Sequence, residues 1–554
     1  MTAGTTRTIA FALLCASASA HANQTPVDQA DASVVEEELR EADRAPAPTP
    51  RQPILQVPRS SEASRSAIEE PVLVGAILVE GAEALPQAAF APVVERYVGR
   101  TLSPEELRAL ASDIAAVARD AGYGLATAWI PGQRLESGVL RIRLDEGRID
   151  AVEVTGSGRA AAEPRLRALA GGKPVRTAEL ERRLLLAGDV PGLRLGKARL
   201  QRRGGRNILA VTAVRDKVEG RASLDNWGSG TAGPVRARLS MDVNGVAGDD
   251  DRLSVDGVVT PFDPGEFALV RLGYASALGA DGTELSVGGY YARSHAGGVL
   301  SALDIEGRSA EIGFELRHPL LRSRRSSLWA SFAANLRTSS QDRQGATVRD
   351  DSLTTLAASL YAYQQLPSGR LRGRFTVTRG LALFGATEAG DPRASRFDGD
   401  GVFTKVELWG DYEQRLGRGL SVLLAAQAQL SEGPLLSSEE MGLGGRTFGR
   451  AWDYREFAGD RGVAGSAEVR YDLRRPDGDK LNAVQFYGYA DAGTVSNEGT
   501  GTGGGSLASS GGGIRMWLDG RLQAGVEVGV PLTDGSRPTD KDKPRVSFTI
   551  DKRF

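Results

Sequence analysis

Few side chains in this sequence are placed to do covalent chemistry. The three histidines, His21, His295 and His318, are far apart, and the single cysteine is Cys15. That leaves little for histidine-based metal binding or acid–base catalysis, and no Ser/His/Asp set for a lipase or protease stands out. The stretch Gly192–Lys197 lacks P-loop spacing and the Ser/Thr that would hold Mg²⁺. A Gly-rich segment, residues 500–513, follows a strand pattern but opens no helix, so it reads as a flexible loop and not a phosphate cradle. No catalytic residue, metal or cofactor is expected. What remains is ionic chemistry. Gly444-Gly445-Arg446-Thr447-Phe448-Gly449-Arg450-Ala451-Trp452 carries arginine in a glycine-rich loop, and Tyr489-Ala490-Asp491-Ala492-Gly493 carries a carboxylate on a strand pattern. An arginine fork meeting a carboxylate gives paired, charge-assisted hydrogen bonds in fixed geometry. Taken alone, Arg450 reads as a solvated loop charge, and Asp491 as one of many lumen carboxylates such as Glu468 and Asp472.

The elements that must position these residues are strands. Through residues 218–554, Arg236, Arg238, Ser240, Asp242 and Asn244 interleave with Val235, Ala237, Leu239, Met241 and Val243. Near the end Arg545, Ser547, Thr549 and Asp551 interleave with Val546, Phe548 and Ile550. One face is apolar and the other polar, as for a sheet with lipid outside and a wet lumen inside. Short connections at Ala247–Asp251, Gly279–Gly282, Leu321–Arg325, Ser368-Gly369, Arg418-Gly419, Asp477–Lys480 and Asp519-Gly520 alternate with longer loops at 297–308, 343–352, 384–403, 435–462 and 498–505. Short turns on one side and long loops on the other mark an outer-membrane barrel, here of about sixteen strands. Asp491, sharing parity with Gln485, Tyr487 and Tyr489, then faces inward.

Upstream the texture differs. Arg7, the apolar run Ile9–Cys15 and Ala20-His21-Ala22 form a secretory signal peptide over residues 1–22. Its cleavage removes the only cysteine. Residues 28–45 favour helix, with Val34, Val35 and Leu39 as a thin apolar stripe, although their composition alone reads as a solvated acidic segment. Pro46, Pro48, Pro50, Pro53 and Pro58 make residues 46–70 an extended tether. From Val72 two small α/β modules follow, at 71–148 and 149–217. In the first, Ser103-Pro104-Glu105-Glu106 starts a helix with a capping box, and Leu107, Leu110, Ala111, Ile114, Val117 and Ala118 form its buried face.

The whole chain numbers 554 residues with 69 glycines and a net charge of −2, from 68 Lys+Arg against 70 Asp+Glu. This balance excludes a basic nucleic-acid coat. A mean hydropathy of −0.24 excludes a polytopic helical membrane protein.

Several motifs carry a resemblance. Pro131, Gln133, Gly138, Glu146 and Gly147 resemble the end of a first POTRA domain of the ShlB/FhaC-type transporters, and Asp189-Val190-Pro191-Gly192 resembles the turn of their second. The Gly444–Trp452 run, with Gly444, Gly445, Arg446, Phe448, Arg450 and Trp452, resembles the sixth extracellular loop of the POTRA-plus-barrel superfamily, with Ala451 where glycine is usual. Tyr489, Asp491 and Gly493 resemble that superfamily's aromatic-x-Asp-x-Gly strand motif, and Phe554 its C-terminal barrel signal. The chain is thereby similar to the TpsB transporters of two-partner secretion. The resemblance implies α+β periplasmic POTRA domains followed by a transmembrane antiparallel barrel. It also implies a large, β-rich secreted partner of the TpsA type, contact with the barrel-assembly machinery during biogenesis, outer-membrane lipids around the barrel, a plug role for the N-terminal helix, and a loop anchor made by Arg450 and Asp491. Two rivals stay open. An assembly factor of the same superfamily usually carries three or more POTRA modules, and a passive porin needs none.

Overall fold

The computed structural model describes residues 25–43, 55–56, 66–135, 138–474, 481–501, 503–536 and 543–554. The expected signal peptide, most of the proline-rich tether and the expected turn at Asp477–Lys480 lie outside these residues.

Sixteen antiparallel strands, from Val218–Asp225 to Arg545–Arg553, pair in chain order and close into a barrel. The closing pair joins the first and last strands, with Arg221 opposite Arg553 and Asp225 opposite Thr549. Phe554 extends this seam: its N–H donates to Gly220 O, and Gly220 N–H donates back, both at 3.0 Å. The Phe554 ring lies over Gly220, where a Cβ would meet it unless the ring moved aside.

Side-chain alternation sorts the two faces. Leu239, Met241, Phe332, Leu336, Val546 and Ile550 are exposed outward, while Arg236, Gln341, Gln427, Ser509 and Ser547 are buried inward. An apolar outer band around a polar interior suits lipid outside and water or polar groups within. Among the described residues no helix is long and apolar enough to cross a membrane.

One expected loop is absent. The strands Ser326–Arg343 and Ala346–Leu366 run on to a tight hairpin at Gln344-Gly345, both with positive φ. Residues 346–352 continue the ladder, with Ala346 opposite Arg343, Asp351 opposite Ser339 and Ser352 opposite Thr338. Their polar character is that of strand extended beyond the apolar band, not of an irregular loop.

Two α/β modules precede the barrel and repeat one topology. In the first, Ala76–Glu80 pairs parallel with Val139–Asp145, which pairs antiparallel with Thr127–Trp129. In the second, Ala151–Thr155 pairs parallel with Arg206–Arg215, which pairs antiparallel with Leu193–Arg203. The helix Pro104–Asp120 starts at Ser103 with a complete capping box to Glu106, and its face of Leu107, Leu110, Ala111, Ile114 and Ala118 fills the first core. The helices Arg159–Arg167 and Thr177–Gly188 fill the second. Two tether residues, Leu55–Gln56, pair parallel with Ala198 and Arg199 on the edge of the second sheet. That module sits against the short turns of the barrel. Arg322 donates to both oxygens of Asp189 at 2.7 and 2.8 Å, and Arg183 meets Asp281 at 2.9 Å.

Candidate functional site

Between the strands Leu420–Ser431 and Arg461–Arg474 the chain makes its longest connection. A short hairpin, Met441–Leu443 with Phe457–Gly459, carries the loop, and its tip folds back into the lumen. Met441, Leu443, Phe448, Ala451 and Trp452 pack on Ala464, Val495 and Leu507 of the wall. Glycines set the tip's shape. Gly444, Gly445 and Gly449 have positive φ, and a Cβ at Gly444 would meet Asp453 O at 2.0 Å. Ala451 is not among the positive-φ residues, so its methyl group is accommodated where the motif usually has glycine.

Arg450 is 6% exposed and Asp491 4%. Arg450 Nε donates to Asp491 Oδ2 at 3.0 Å, and Gly449 N–H donates to Asp491 Oδ1 at 3.1 Å. Ser509 Oγ also donates to Asp491. Tyr489 adds its ring face, with the guanidinium carbon of Arg450 3.4 Å from the centroid. Gly493 lets Leu443 of the loop lie on the wall, since a Cβ there would come within 2.6 Å of it. Trp452 closes the tip through its carbonyl, which accepts from Gly445 N–H at 3.0 Å. Arg446 is exposed and takes no part in this cluster.

The structure adds members that motif reading missed. Arg450 Nη1 also donates to Glu468 Oε2 at 2.9 Å and to Glu527 Oε2 at 3.4 Å. Arg515 meets Glu468 at 2.8 Å and lies 3.7 Å from the Tyr487 centroid. Tyr487 Oη in turn donates to Glu527 at 2.7 Å. Two arginines thus each lie over one tyrosine ring, among three carboxylates. Inward parity was the available signal: Glu527 lies between outward-facing Val526 and Val528. Gly511 and Gly513 form the floor under the rings, because a Cβ at either would come within 2.7 or 2.6 Å of a tyrosine hydroxyl. The reading of residues 500–513 as a flexible loop is therefore corrected. From Gly505 onward they belong to the strand Gly505–Leu518, and the glycines serve ring packing.

A second lumenal element is the helix Ala32–Asp43, preceded by the short helix Thr25–Gln29. Asp31 caps it by accepting from Ser33 N–H at 2.8 Å. The acidic composition that suggested a solvated segment is matched by wall arginines instead: Glu38 meets Arg236 and Glu36 meets Arg271, each at 2.7 Å, and Asp28 meets Arg349 at 2.6 Å. Arg40 meets Glu311 at 2.8 Å. Ala32, Val35 and Leu39 pack on Phe267, Leu269 and Tyr290.

The motif residues of the first module make structural contacts. The buried Glu146 carboxylate accepts from the N–H groups of Glu83, Ala84 and Leu85 at 2.7–3.0 Å. The Gln133 amide pairs with the backbone of Arg141 as a neighbouring strand would, and also donates to Pro131 O at 3.4 Å. Gly138 O accepts from Gly75 and Ala76, and Gly147 turns the chain at φ +90°, where a Cβ would strike Leu125.

Residues 204–516 match the family model for haemolysin secretion/activation protein ShlB/FhaC/HecB, and residues 72–147 match the ShlB-type POTRA domain. The chain belongs to the ShlB/FhaC/HecB family. The heme/hemopexin transporter protein HuxB of Haemophilus influenzae strain 86-028NP is 24% identical over 413 residues, covering 72% of each chain. CdiB from Escherichia coli shares the fold with a TM-score of 0.70 at 18% identity, over 96% of this chain and 98% of that one. CdiB from Acinetobacter baumannii gives 0.61 at 16% identity, with the same coverage. As a ShlB/FhaC/HecB protein the chain is a transporter of two-partner secretion, an outer-membrane β-barrel with POTRA domains and a secreted TpsA-type partner.

Proposed function

We propose that the two modules, at 71–148 and 149–217, lie in the periplasm and capture one large, unfolded, β-rich partner, which the polar lumen then conducts outward. An extended chain can add to a sheet edge through its backbone alone, with little side-chain selectivity. The edge strand Leu193–Arg203 offers such a site, and the tether residues Leu55–Gln56 already use it in this way. The helix Ala32–Asp43 is the resting plug, and Arg450 with Asp491 is the loop anchor. The barrel sits in outer-membrane lipid, and Phe554 is the signal read by the assembly machinery during biogenesis.

The observation that carries this reading is how the helix is held. The ion pairs of residues 28–43 to Arg236, Arg271 and Arg349 come from a segment joined to the modules through the tether. Such contacts can be exchanged for water one at a time, so the helix can leave without unfolding the wall.

Two deletions test it. Removing residues 72–216 leaves a barrel that shows heat-modifiable migration but exports no partner; normal export would refute capture. Removing residues 23–45 raises conductance in planar bilayers and leaves export working; unchanged conductance would refute the plug.

A further inference from the structure

A row of planar side chains crosses the inner wall near the short-turn end of the barrel. Trp329 stands opposite Tyr361, Tyr361 opposite Arg374, Arg374 opposite Trp409, and Trp409 opposite Gln427, each on the next strand. The Trp329 and Tyr361 rings are 5.4 Å apart, and the Arg374 guanidinium carbon is 5.8 Å from the Tyr361 centroid. All except Gln427 are only partly buried. They line a cavity of about 730 Å³, which is also bounded by Asp189–Pro191 of the second module and by Glu37 and Arg40 of the lumenal helix. At its edge Arg322, which holds Asp189, lies 5.4 Å from the Trp329 centroid.

We propose that this row is the first binding surface inside the barrel for the extended partner polypeptide, a step that rests on the secretion reading above. Ring and guanidinium faces stack on peptide planes and on aromatic or amide side chains regardless of order, which suits a long chain that must slide. The charge pattern favours a polypeptide over a polyanion. In the adjacent rows Arg372 donates to Asp411 and Arg370 meets Glu413 at 2.7 Å, so those guanidinium charges are already matched. The position supplies the route, since the cavity opens between the module proposed to capture the chain and the lumen proposed to conduct it.

The test uses the full-length transporter in planar bilayers. The probe is a synthetic unfolded peptide of about thirty residues and no net charge, added on the short-turn side, with poly-glutamate of equal length as a second arm. The neutral peptide produces discrete current blocks. The double variant Trp329→Ala/Trp409→Ala shortens their lifetime about tenfold, Trp329→Phe/Trp409→Phe retains most of it, and Phe332→Ala on the lipid face leaves it unchanged. Should the alanine pair fail to fold, Trp409→Leu keeps apolar bulk while removing the ring face and still shortens the blocks. Equal lifetimes in wild type and these variants, no blocks in wild type, or longer blocks with poly-glutamate would each overturn the proposal. Partner export measured in parallel separates the two readings. If export still requires residues 72–216 while the blocks ignore the row, secretion stands and the row falls.

Discussion

Arg450 lies flat on Tyr489, with its guanidinium carbon 3.4 Å from the ring centroid, while its nitrogens reach carboxylates on three different strands. The loop tip is therefore held by charge and by a ring face together. Removing the ring face alone, with Tyr489→Leu, should cost about 0.5–2 kcal/mol and increase protease cleavage of the loop. Tyr489→Phe, which keeps the face, should cleave close to wild type.

The glycines beneath the tyrosines make a second prediction. A Cβ at Gly511 would come within 2.2 Å of Val528 O and 2.7 Å of the Tyr489 hydroxyl. Gly511→Ala should therefore displace the ring under Arg450 and cost about 1–3 kcal/mol, as overpacking does. A lowered temperature of heat-modifiable unfolding would show it. Gly257→Ala, another barrel-strand glycine without positive φ, would add its Cβ in open space and so controls for the substitution without ring contact.

Glu146 is the corresponding test in the first module. Its carboxylate satisfies three backbone N–H groups, and Glu146→Ala leaves them without that acceptor. The loss should be about 2–4 kcal/mol, since hydrogen bonds to charged groups are worth more than neutral ones. Limited proteolysis of the full chain should then cut near residues 83–85, with the barrel intact.

The lumenal helix gives a charge-specific prediction. Arg236→Ala leaves Glu38 buried beside Asp225 without its closest cation. Conductance should rise toward that of the chain lacking residues 23–45, and Arg236→Lys should restore closure only in part because an ammonium cannot reproduce the fork.

Much of this was legible in the sequence because strands and turns write local patterns. Alternation placed Asp491 on the inner face, the Ser103–Glu106 box began its helix, and glycine-rich connections marked most turns. What escaped depends on contacts between distant segments. Glu468, Glu527 and Arg515 join Arg450 only once four strands are side by side. The acidic helix looked solvated because its partners, Arg236, Arg271 and Arg349, lie hundreds of residues away. Residues 343–352 looked like a loop because strand continuing beyond the apolar band loses its hydrophobic alternation. Gly511 and Gly513 looked flexible because composition does not distinguish a glycine that bends from one that makes room.

The most direct measurement is exported partner per folded transporter for Arg450→Ala, Asp491→Ala, the double variant and Arg450→Lys. Arg450→Ala leaves Asp491 without its cation, while Glu468 keeps Arg515 and Glu527 keeps the Tyr487 hydroxyl, and breaking one side of a buried pair costs roughly 3–5 kcal/mol. Asp491→Ala leaves Arg450 with Glu468 and Glu527 and should be the milder defect. The account predicts collapse of export in Arg450→Ala with the barrel still inserted, poor rescue by lysine, and a double variant no worse than Arg450→Ala. Independent, additive defects in the double variant would contradict it.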